Sequence, residues 1–596
     1  MALLQLSSLS FGLTKMLLPR QRKSSSLTIS NSNVPCPTQC MASNKVSNNS
    51  ETVLRRSANF KPSIWTYDYI QSLSSEYKEE MHAEQRRVLR EEVRIMLCEV
   101  ENEVDQLELI DVLQRLGVDY HFDKEIRNIL DNIYYIYYMD ASKRKKNLHA
   151  TALEFRLLRQ HAYDISTDVF DCFHDETGNF KKCKYDDIEG MLSLYEASFH
   201  SFEDETILDE ARDFTSEILK EYLNQNRVNL LSLLIGHALE LPIHWRIPRW
   251  EAQWFIHAYE RKPNTSPVLL QLAKLDFNIL QAIYQDDLKY KSRWWKRTSL
   301  GEKLTFARDR VVENFIWTVG SNFKPDFGYS RKVIAKGNAL VTTIDDVYDV
   351  YGTLEELELF TEAIDRWDLN AIDNLPDYMK ICFHTLYNFV HEMALEVQEK
   401  NGYNITPYLK KAWADICKSY LIEAKWYHSG YKPSFGEYIE NGWISISAPV
   451  ILVHAYFAIP HSFRKDDLVN LEEYSDIIRS SGIIIRLAND LGTYKREIET
   501  GDIPKSIQCY MNESGASEGD AREYVKSIIC KTWTKMNEEA RSSSFSRSFI
   551  ETAINLTRMA LWMYQHGDGV SIQDSEIKSR ILSLLIQPIP VAYTKK

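Results

Sequence analysis

The amino-acid sequence predicts an all-α protein, and two observations support this class. Apolar residues recur at three- and four-residue intervals in segments 92–97 and 107–116, with charged residues between them, as expected for helices with one buried face. Short alternating runs of β-branched residues bounded by Gly or Asn turns, which would predict strands, are scarce. No repeat of fixed period, which would indicate a solenoid, is present. From about Ser63 onwards the pattern therefore favours helices nearly throughout.

The composition is that of an ordinary globular protein with room for two or more large cores. The chain has 596 residues, of which 44% are hydrophobic and 26% charged. Its net charge of −13, without a basic stripe, argues against a nucleic-acid partner. The nine Cys show no metal-binding spacing and indicate reduced thiols. No apolar run approaches the length of about 18 residues that a transmembrane helix needs, so we expect no integral membrane contact.

The N-terminal segment 1–54 differs in kind from the rest of the chain. No Asp or Glu precedes Glu51, and scattered Lys and Arg lie in Ser- and Thr-rich sequence. An acid-free, hydroxyl-rich and basic N-terminus predicts an organelle transit peptide. A disordered tail is the alternative, and the sequence does not reveal the cleavage site.

A second boundary is predicted where the polar segment 260–267 interrupts the helical rhythm. It divides the remaining chain into an N-terminal helical domain, 55–265, and a C-terminal domain, 266–596. The motifs with the clearest chemistry lie in the C-terminal domain.

An acidic pair ends the apolar segment 338–344. Asp345 and Asp349 are four residues apart, so a helix presents both carboxylates on one face. No Lys or Arg occurs between residues 339 and 365, and the pair therefore needs a cation from outside. Mg²⁺ is suitable, because it binds a few carboxylates together with substrate phosphate oxygens. Taken alone, the pattern fits an acidic helix end equally well.

A second set of oxygen ligands lies further along the chain. Asn489, Thr493 and Glu497 are spaced by four residues and follow the apolar run 483–485. Amide, hydroxyl and carboxylate oxygens are hard donors that suit Mg²⁺ and not zinc. Two oxygen-bearing stripes on separate buried helices predict a site in which cations bridge a phosphate group.

The two motifs resemble the aspartate-rich and Asn/Thr/Glu motifs of class I terpene synthases, in particular the plant monoterpene synthase branch. The resemblance extends from about Arg55 to the C-terminus. It includes the tandem Arg55-Arg56 followed after eight residues by Trp65, the triplet 308–310 (Arg-Asp-Arg) and the segment 501–506 (Gly-Asp-Ile-Pro-Lys-Ser). It implies an α-helical barrel of the class I terpenoid synthase type in the C-terminal domain, and a location in the plastid stroma.

The resemblance also implies three Mg²⁺ or Mn²⁺ ions. Asp345 and Asp349 would hold one pair, and Asn489, Thr493 and Glu497 would hold the third. Asp346 would point away from the face that Asp345 and Asp349 share, and would contact the metal ligands rather than the metal.

Cationic side chains would contact the diphosphate of the substrate. By the resemblance these are Arg308, Arg486 and Lys505, and Arg310 matches the second Arg of the same short motif. A guanidinium suits this role because it grips phosphate with two parallel hydrogen bonds. For any single Arg the alternative is a surface salt bridge.

After the diphosphate leaves, a carbocation must be kept from water in an apolar and aromatic cavity. The resemblance assigns Trp317, Tyr420 and Tyr564 to the cavity wall, with ordinary packing as the alternative. Asn338 lies two helical turns before Asp345, so it either orients a water molecule or is a buried, hydrogen-bonded Asn. In segment 443–449 a helix should break, and its exposed carbonyls could steady a cation.

The tandem Arg55-Arg56 and Trp65 resemble a motif of cyclising monoterpene synthases. In that family the segment covers the mouth of the C-terminal domain and is linked to isomerisation of geranyl to linalyl diphosphate before ring closure. Val570 departs from the family pattern, because several relatives carry His there, which weakens a limonene assignment and slightly favours capture by water or another base. No Asp-x-Asp-Asp motif occurs, so acid-initiated cyclisation is not expected.

We therefore predict a monomeric monoterpene synthase that converts geranyl diphosphate through the α-terpinyl cation to a cyclic product of the α-terpineol, 1,8-cineole, limonene or sabinene type. An acyclic product (linalool, myrcene or ocimene) is the first alternative. A sesquiterpene synthase is disfavoured by the transit peptide, and isoprene formation by Asn338 and Ile485, where bulky Phe would be expected. A non-enzymatic helical scaffold is the alternative from another class.

Overall fold

The computed structural model describes residues 55–139, 147–174, 180, 187–225, 229–570 and 575–591. The predicted transit peptide, 1–54, lies outside the described residues. The structure is 77% helical, and the described part of the chain forms no strand beyond a single bridge between His174 and Phe180. The prediction of an all-α fold is confirmed.

The first group of helices precedes residue 260. It comprises α1 (Tyr67–Ser72), α2 (Glu79–Glu99), α3 (Glu103–Arg115), α4 (Asp123–Met139), α5 (Leu148–Gln160), α6 (Ile188–Ser198), α7 (Thr206–Asn224), α8 (Leu230–Glu240) and α9 (Pro248–Tyr259).

The second group follows residue 266 and contains the cavity described below. It comprises α10 (Pro267–Thr298), α11 (Leu300–Lys303), α12 (Val311–Ser321), α13 (Gly328–Asp346), α14 (Leu354–Arg366), α15 (Asp377–Asn401), α16 (Thr406–Ser429), α17 (Phe435–Ser445), α18 (Ala448–Ala458), α19 (Lys465–Glu472), α20 (Asp476–Thr500), α21 (Ser506–Ser514), α22 (Glu518–Ser542), α23 (Arg547–Met563) and α24 (Ser575–Leu585).

The long helix α10 joins the two groups. It begins after the polar segment that the sequence identified, with Ser266 as N-cap and Pro267 in the first turn, where a missing N–H costs nothing. One side of α10 packs on α2 and α9, and the other on α12 and α13. The domain division at 265/266 itself stays a prediction.

Helix α13 carries the aspartate pair because its sequence has two different faces. Ile334, Leu340 and Ile344 are fully buried, whereas Asn338 and Asp345, seven residues apart, lie on a half-buried face. The helix widens into one π-helical turn over Val347–Tyr351, a feature that is frequent at functional sites. A hydrophobic face thus fixes the helix, and its other face is free to line a cavity.

Helix α20 carries the second motif and approaches its neighbours closely at two glycines. A Cβ atom on Gly482 would lie 2.5 Å from the carbonyl oxygen of Trp443 on α17. A Cβ atom on Gly492 would lie 2.8 Å from the carbonyl oxygen of Tyr564, just after α23. The absence of a side chain at these two positions allows α20 to lie close to α17 and to the segment that follows α23.

Candidate active site

A cavity of about 600 Å³ lies within the second group of helices. Of the fifteen residues that the sequence analysis assigned to the site, all except Arg55 and Trp65 line it. They are Arg56, Arg308, Trp317, Asn338, Asp345, Asp349, Tyr420, Arg486, Asn489, Thr493, Glu497, Lys505 and Tyr564.

The aspartates of the first motif divide into two environments. All three aspartates border the cavity, but Asp346 is only 1% exposed, whereas Asp345 and Asp349 are more accessible. The Asp346 carboxylate accepts hydrogen bonds from Arg308 through the main-chain N–H at 2.7 Å and through Nε at 3.1 Å. Arg308 also contacts Asp345. Burial raises the pKa of Asp346 to about 6, although the guanidinium opposes the shift.

Asp349 stands in the π-helical turn. Its side chain is exposed and lines the cavity. Desolvation by the surrounding protein, and next the charge of Asp345, raise the pKa of Asp349 well above its usual range. Such a site favours the binding of a cation, which would offset the cost of charging Asp349.

The second bank of oxygen ligands lies on α20. Thr493 Oγ donates to Oε1 of Glu497 at 2.7 Å and to the main-chain oxygen of Asn489 at 2.9 Å. Burial raises the pKa of Glu497 to about 7, against the effect of Lys505. Tyr564 hydrogen bonds with Asn489 from the loop after α23. The three oxygen donors therefore lie on one stripe that faces the cavity.

Two cationic side chains are buried beside this bank. Arg486 forms an ion pair with Asp490 at 3.0 Å and contacts Asn489. Lys505 Nζ lies 3.6 Å from carboxylate oxygens of both Glu423 and Asp502. Burial lowers the pKa of Lys505, but these two carboxylates outweigh burial and raise it. Both side chains are therefore charged in a site able to receive a polyanion.

Aromatic rings form part of the remaining wall. The centroids of Trp317 and Tyr564, which both line the cavity, lie 5.9 Å apart. Tyr420 also lines it, and its centroid lies 5.5 Å from that of the buried Tyr348. Between α17 and α18 the helical conformation is interrupted at Ser447, which has a φ of 73°. Ser445, Ile446 and Ser447 all line the cavity at this break.

One polar patch interrupts the wall on α12 and α13. Asn338 Nδ2 donates to the main-chain oxygen of Asn314 at 3.1 Å. Thr342 Oγ donates to Asn314 Oδ1 at 3.2 Å. All three residues line the cavity, so hydrogen bonds fix the orientation of the two amides there.

Segment 55–65, which we call the strap, lies against the cavity. Arg55 forms two hydrogen bonds of 2.8 Å with the Glu356 carboxylate. The Arg56 guanidinium lies 4.0 Å from the ring centroid of Tyr427. Residues 56–60 line the cavity. At the other end, Trp65 Nε1 donates to the fully buried Glu313 at 3.0 Å. Arg55 and Trp65 therefore anchor the strap from outside the cavity.

The sequence reasoning missed several residues that line the cavity. Arg496 forms an ion pair with Asp568, and its position seven residues after Asn489 places it on the same helical stripe, which was a usable signal. Glu423 and Asp502 adjoin Lys505. Asn314 lies outside every motif, and only the packing of α12 on α13 brings it to the site.

An all-α fold with two banks of oxygen ligands, buried cations and an aromatic cavity defines the class I terpenoid synthase architecture. Comparisons with known proteins agree. The sequence model of the terpene synthase family, metal binding domain, matches residues 296–535, and that of the terpene synthase N-terminal domain matches residues 64–239. The chain belongs to the terpene synthase family.

Two similar relatives make different products. The chain is 58% identical to a chloroplastic myrcene synthase of Quercus ilex over 93% of each chain. It is 53% identical to a (−)-α-terpineol synthase of Vitis vinifera over 99% of each chain.

Among solved structures, limonene synthase with 2-fluorolinalyl diphosphate has a TM-score of 0.88 at 44% identity, covering 90% of this chain and 100% of that one. Isoprene synthase from grey poplar, with three Mg²⁺ ions and dimethylallyl-S-thiolodiphosphate, has a TM-score of 0.82 at 45% identity, covering 89% and 99%.

These findings confirm the predicted enzyme class, a metal-dependent, diphosphate-releasing terpene synthase. They support a monoterpene synthase, a divalent metal cofactor and targeting to the plastid. Within the described residues, no helix combines the length and apolarity needed to cross a bilayer.

Proposed function

We propose that the protein converts geranyl diphosphate to a cyclic monoterpene and diphosphate in the plastid stroma, as a monomer. The observation that carries this proposal is that one cavity is lined by both charged groups and aromatic rings. The charged groups suit a diphosphate, and the aromatic rings suit a hydrocarbon cation. A volume of about 600 Å³ lies within the range of small-molecule pockets.

The residues present fit divalent cations. Every candidate ligand is a hard oxygen donor, as Mg²⁺ and Mn²⁺ prefer. No three carboxylate, imidazole or thiolate groups of the described chain converge on one point, so substrate oxygens would complete the coordination. Asp345 and Asp349 would hold one pair of ions, and Asn489, Thr493 and Glu497 a third. When bound, the ions act as Lewis acids on the departing diphosphate.

The cationic side chains bind and orient the leaving group. Arg308 is aimed into the cavity by its bonds to Asp346, and Arg486 is held by Asp490. Each can donate parallel hydrogen bonds to phosphate oxygens. Lys505 adds a point charge next to both banks of ligands. These three side chains therefore stabilise the charge that develops on the diphosphate, and they are already in position before the bond breaks.

The aromatic part of the wall stabilises the cation. Trp317, Tyr420 and Tyr564 line the cavity, and aromatic ring faces attract positive charge. The strap excludes water while the allylic system isomerises and closes to the α-terpinyl cation. Asn338, oriented by its bond to Asn314, would hold a water molecule for the final capture.

An acyclic product is the second candidate, and one observation favours it. The chain is 58% identical to a protein named myrcene synthase. Small differences in cavity shape decide which product such a cation forms. A pocket discriminates one methylene by about 1–3 kcal/mol, and the competing routes of the cation differ on the same scale.

The test is gas chromatography of products from the purified protein with geranyl diphosphate, in Mg²⁺, in Mn²⁺ and in a chelator. We expect cyclic products with either ion and none with the chelator. Dimethylallyl and farnesyl diphosphates serve as length controls. Faster turnover of either control substrate would contradict the proposed substrate, and a purely acyclic product would favour the second candidate.

A further inference from the structure

Three segments without regular secondary structure meet beside the cavity. They are the strap, the segment 308–310, and the loop 564–570 that follows α23. Arg310 lies at their junction and is only 1% exposed. Arg308 lines the cavity, but Arg310, two residues later, does not.

The Arg310 guanidinium binds main-chain oxygens of two of these segments at once. Nη1 and Nη2 each donate to the carbonyl oxygen of Lys61 in the strap at 3.2 Å. Nε donates to the carbonyl oxygen of Val570 at 3.2 Å. Nη1 also donates to the carbonyl oxygen of Asp309 at 2.8 Å. A single side chain therefore joins the strap to the loop 564–570.

Both joined segments place side chains in the cavity wall. Phe60, adjacent to Lys61, lines the cavity and lies 5.2 Å from the Arg308 guanidinium. Val570 and Asp568 line it from the loop. Both segments therefore form part of the cavity wall, and displacement of either would change that wall.

We propose that Arg310 is a positioning residue, which fixes the strap against the loop 564–570 and so keeps water from the first carbocation, and that it does not bind diphosphate. Only a guanidinium offers the planar set of donors that reaches two carbonyls in different directions. A lysine at this position would keep the charge and lose the bridge. Charge and geometry can therefore be separated by experiment.

The inference rests on the proposed conversion of geranyl diphosphate. Heterolysis of the C–O bond gives an allylic cation and diphosphate. If water reaches this cation, an oxygen lone pair forms the new C–O bond and a proton passes to solvent, which yields an acyclic alcohol. Loss of the Arg310 bridge should therefore raise the share of acyclic alcohol.

The first experiment compares Arg310→Lys with the unaltered full-length protein, using geranyl diphosphate in water labelled with oxygen-18. We expect the share of labelled acyclic alcohol to rise severalfold and kcat to fall, while KM and inhibition by inorganic diphosphate change less than about twofold. A large rise in the inhibition constant of inorganic diphosphate, with unchanged products, would show that Arg310 binds the leaving group.

A matched control is Arg159→Lys. Arg159 is also buried and donates to main-chain oxygens, of Ile165 and His200, in the first group of helices. The Arg159→Lys substitution should lower the stability of the protein without changing the product ratio. The same product shift in both variants would assign the effect to general destabilisation and overturn the proposal.

A second experiment needs no turnover, so its outcome is independent of the proposed function. Hydrogen exchange of main-chain amides is measured in the unaltered protein and in Arg310→Gln. We expect faster exchange in both 57–62 and 566–570, with helices α12 and α13 unchanged. Unchanged exchange in these segments, or faster exchange throughout the domain, would refute the bridging role.

Discussion

Arg308 and Asp346 form a buried ion pair that joins the segment before α12 to the end of α13. The Arg308 Nη2 atom lies 2.9 Å from Asp346 Oδ1, and its main-chain N–H donates to Oδ2. The second of the three motif carboxylates is buried and holds Arg308, whereas Asp345, which Arg308 also contacts, and Asp349 are more accessible from the cavity. We therefore expect replacement of Asp346 to lower mainly the stability, and replacement of Asp345 or Asp349 to lower mainly the activity.

We predict that Asp346→Ala lowers the free energy of unfolding by about 3 kcal/mol, because it leaves a buried guanidinium without its main partner. Asp345→Asn should abolish metal-dependent turnover with little loss of stability, since Asp345 is partly exposed. Denaturant unfolding and steady-state kinetics of both variants provide the measurement. Equal stability losses, or full activity of Asp345→Asn in Mg²⁺, would contradict the assignment.

The tandem arginines give a second prediction. Arg55 is anchored by Glu356, and Arg56 lines the cavity. We expect the replacement of both by Ala to impair mainly the isomerisation of geranyl to linalyl diphosphate. Turnover of geranyl diphosphate should fall at least about tenfold more than that of linalyl diphosphate, a difference of about 1.4 kcal/mol in activation free energy. Rates on both substrates are compared in the double variant. Equal losses would remove the isomerisation role.

Asn338 provides a prediction about products. Asn338→Ile removes the amide that Asn314 orients, so we expect the product mixture to move from alcohols or ethers towards hydrocarbons. Gas chromatography measures the ratio. Val341→Ile is the matched control, because Val341 lines the same wall and its replacement changes volume without polarity. A similar shift in both variants would indicate a shape effect, and an unchanged profile would leave Asn338 a packing role.

Lys291 gives a prediction about pH. Its side chain is fully buried and donates to the carbonyl oxygen of Val311 at 2.9 Å, and burial lowers its pKa to about 7. Between pH 7 and the pKa of an unfolded lysine, the unfolded state binds more protons than the folded state. The contribution of Lys291 to stability therefore rises with pH in this window, by at most ~1.4 kcal/mol per unit.

The measurement is thermal unfolding of the unaltered protein and Lys291→Met between pH 7 and 10. The stability of the unaltered protein relative to the variant should increase as the pH rises. A constant difference would show that Lys291 does not titrate in this range.

Much of the candidate site could be predicted from the sequence. Spacing by four residues placed Asp345 and Asp349 on one face, and likewise Asn489, Thr493 and Glu497, because helical periodicity is a local property. The all-α class followed from the same periodicity. Motif resemblance supplied Arg308, Arg486 and Lys505, which all line the cavity.

Only the tertiary structure decided how distant segments meet. Asn314 reaches Asn338 because α12 packs on α13, Glu356 receives Arg55 across 301 positions, and Arg310 joins Lys61 to Val570. None of these pairs produces a recognisable pattern in the local sequence, because its members are far apart along the chain. A helix face is set by the spacing of neighbouring residues, whereas the partner of a buried polar group is set by the packing of helices, because each such group must find its hydrogen bond wherever the fold supplies one.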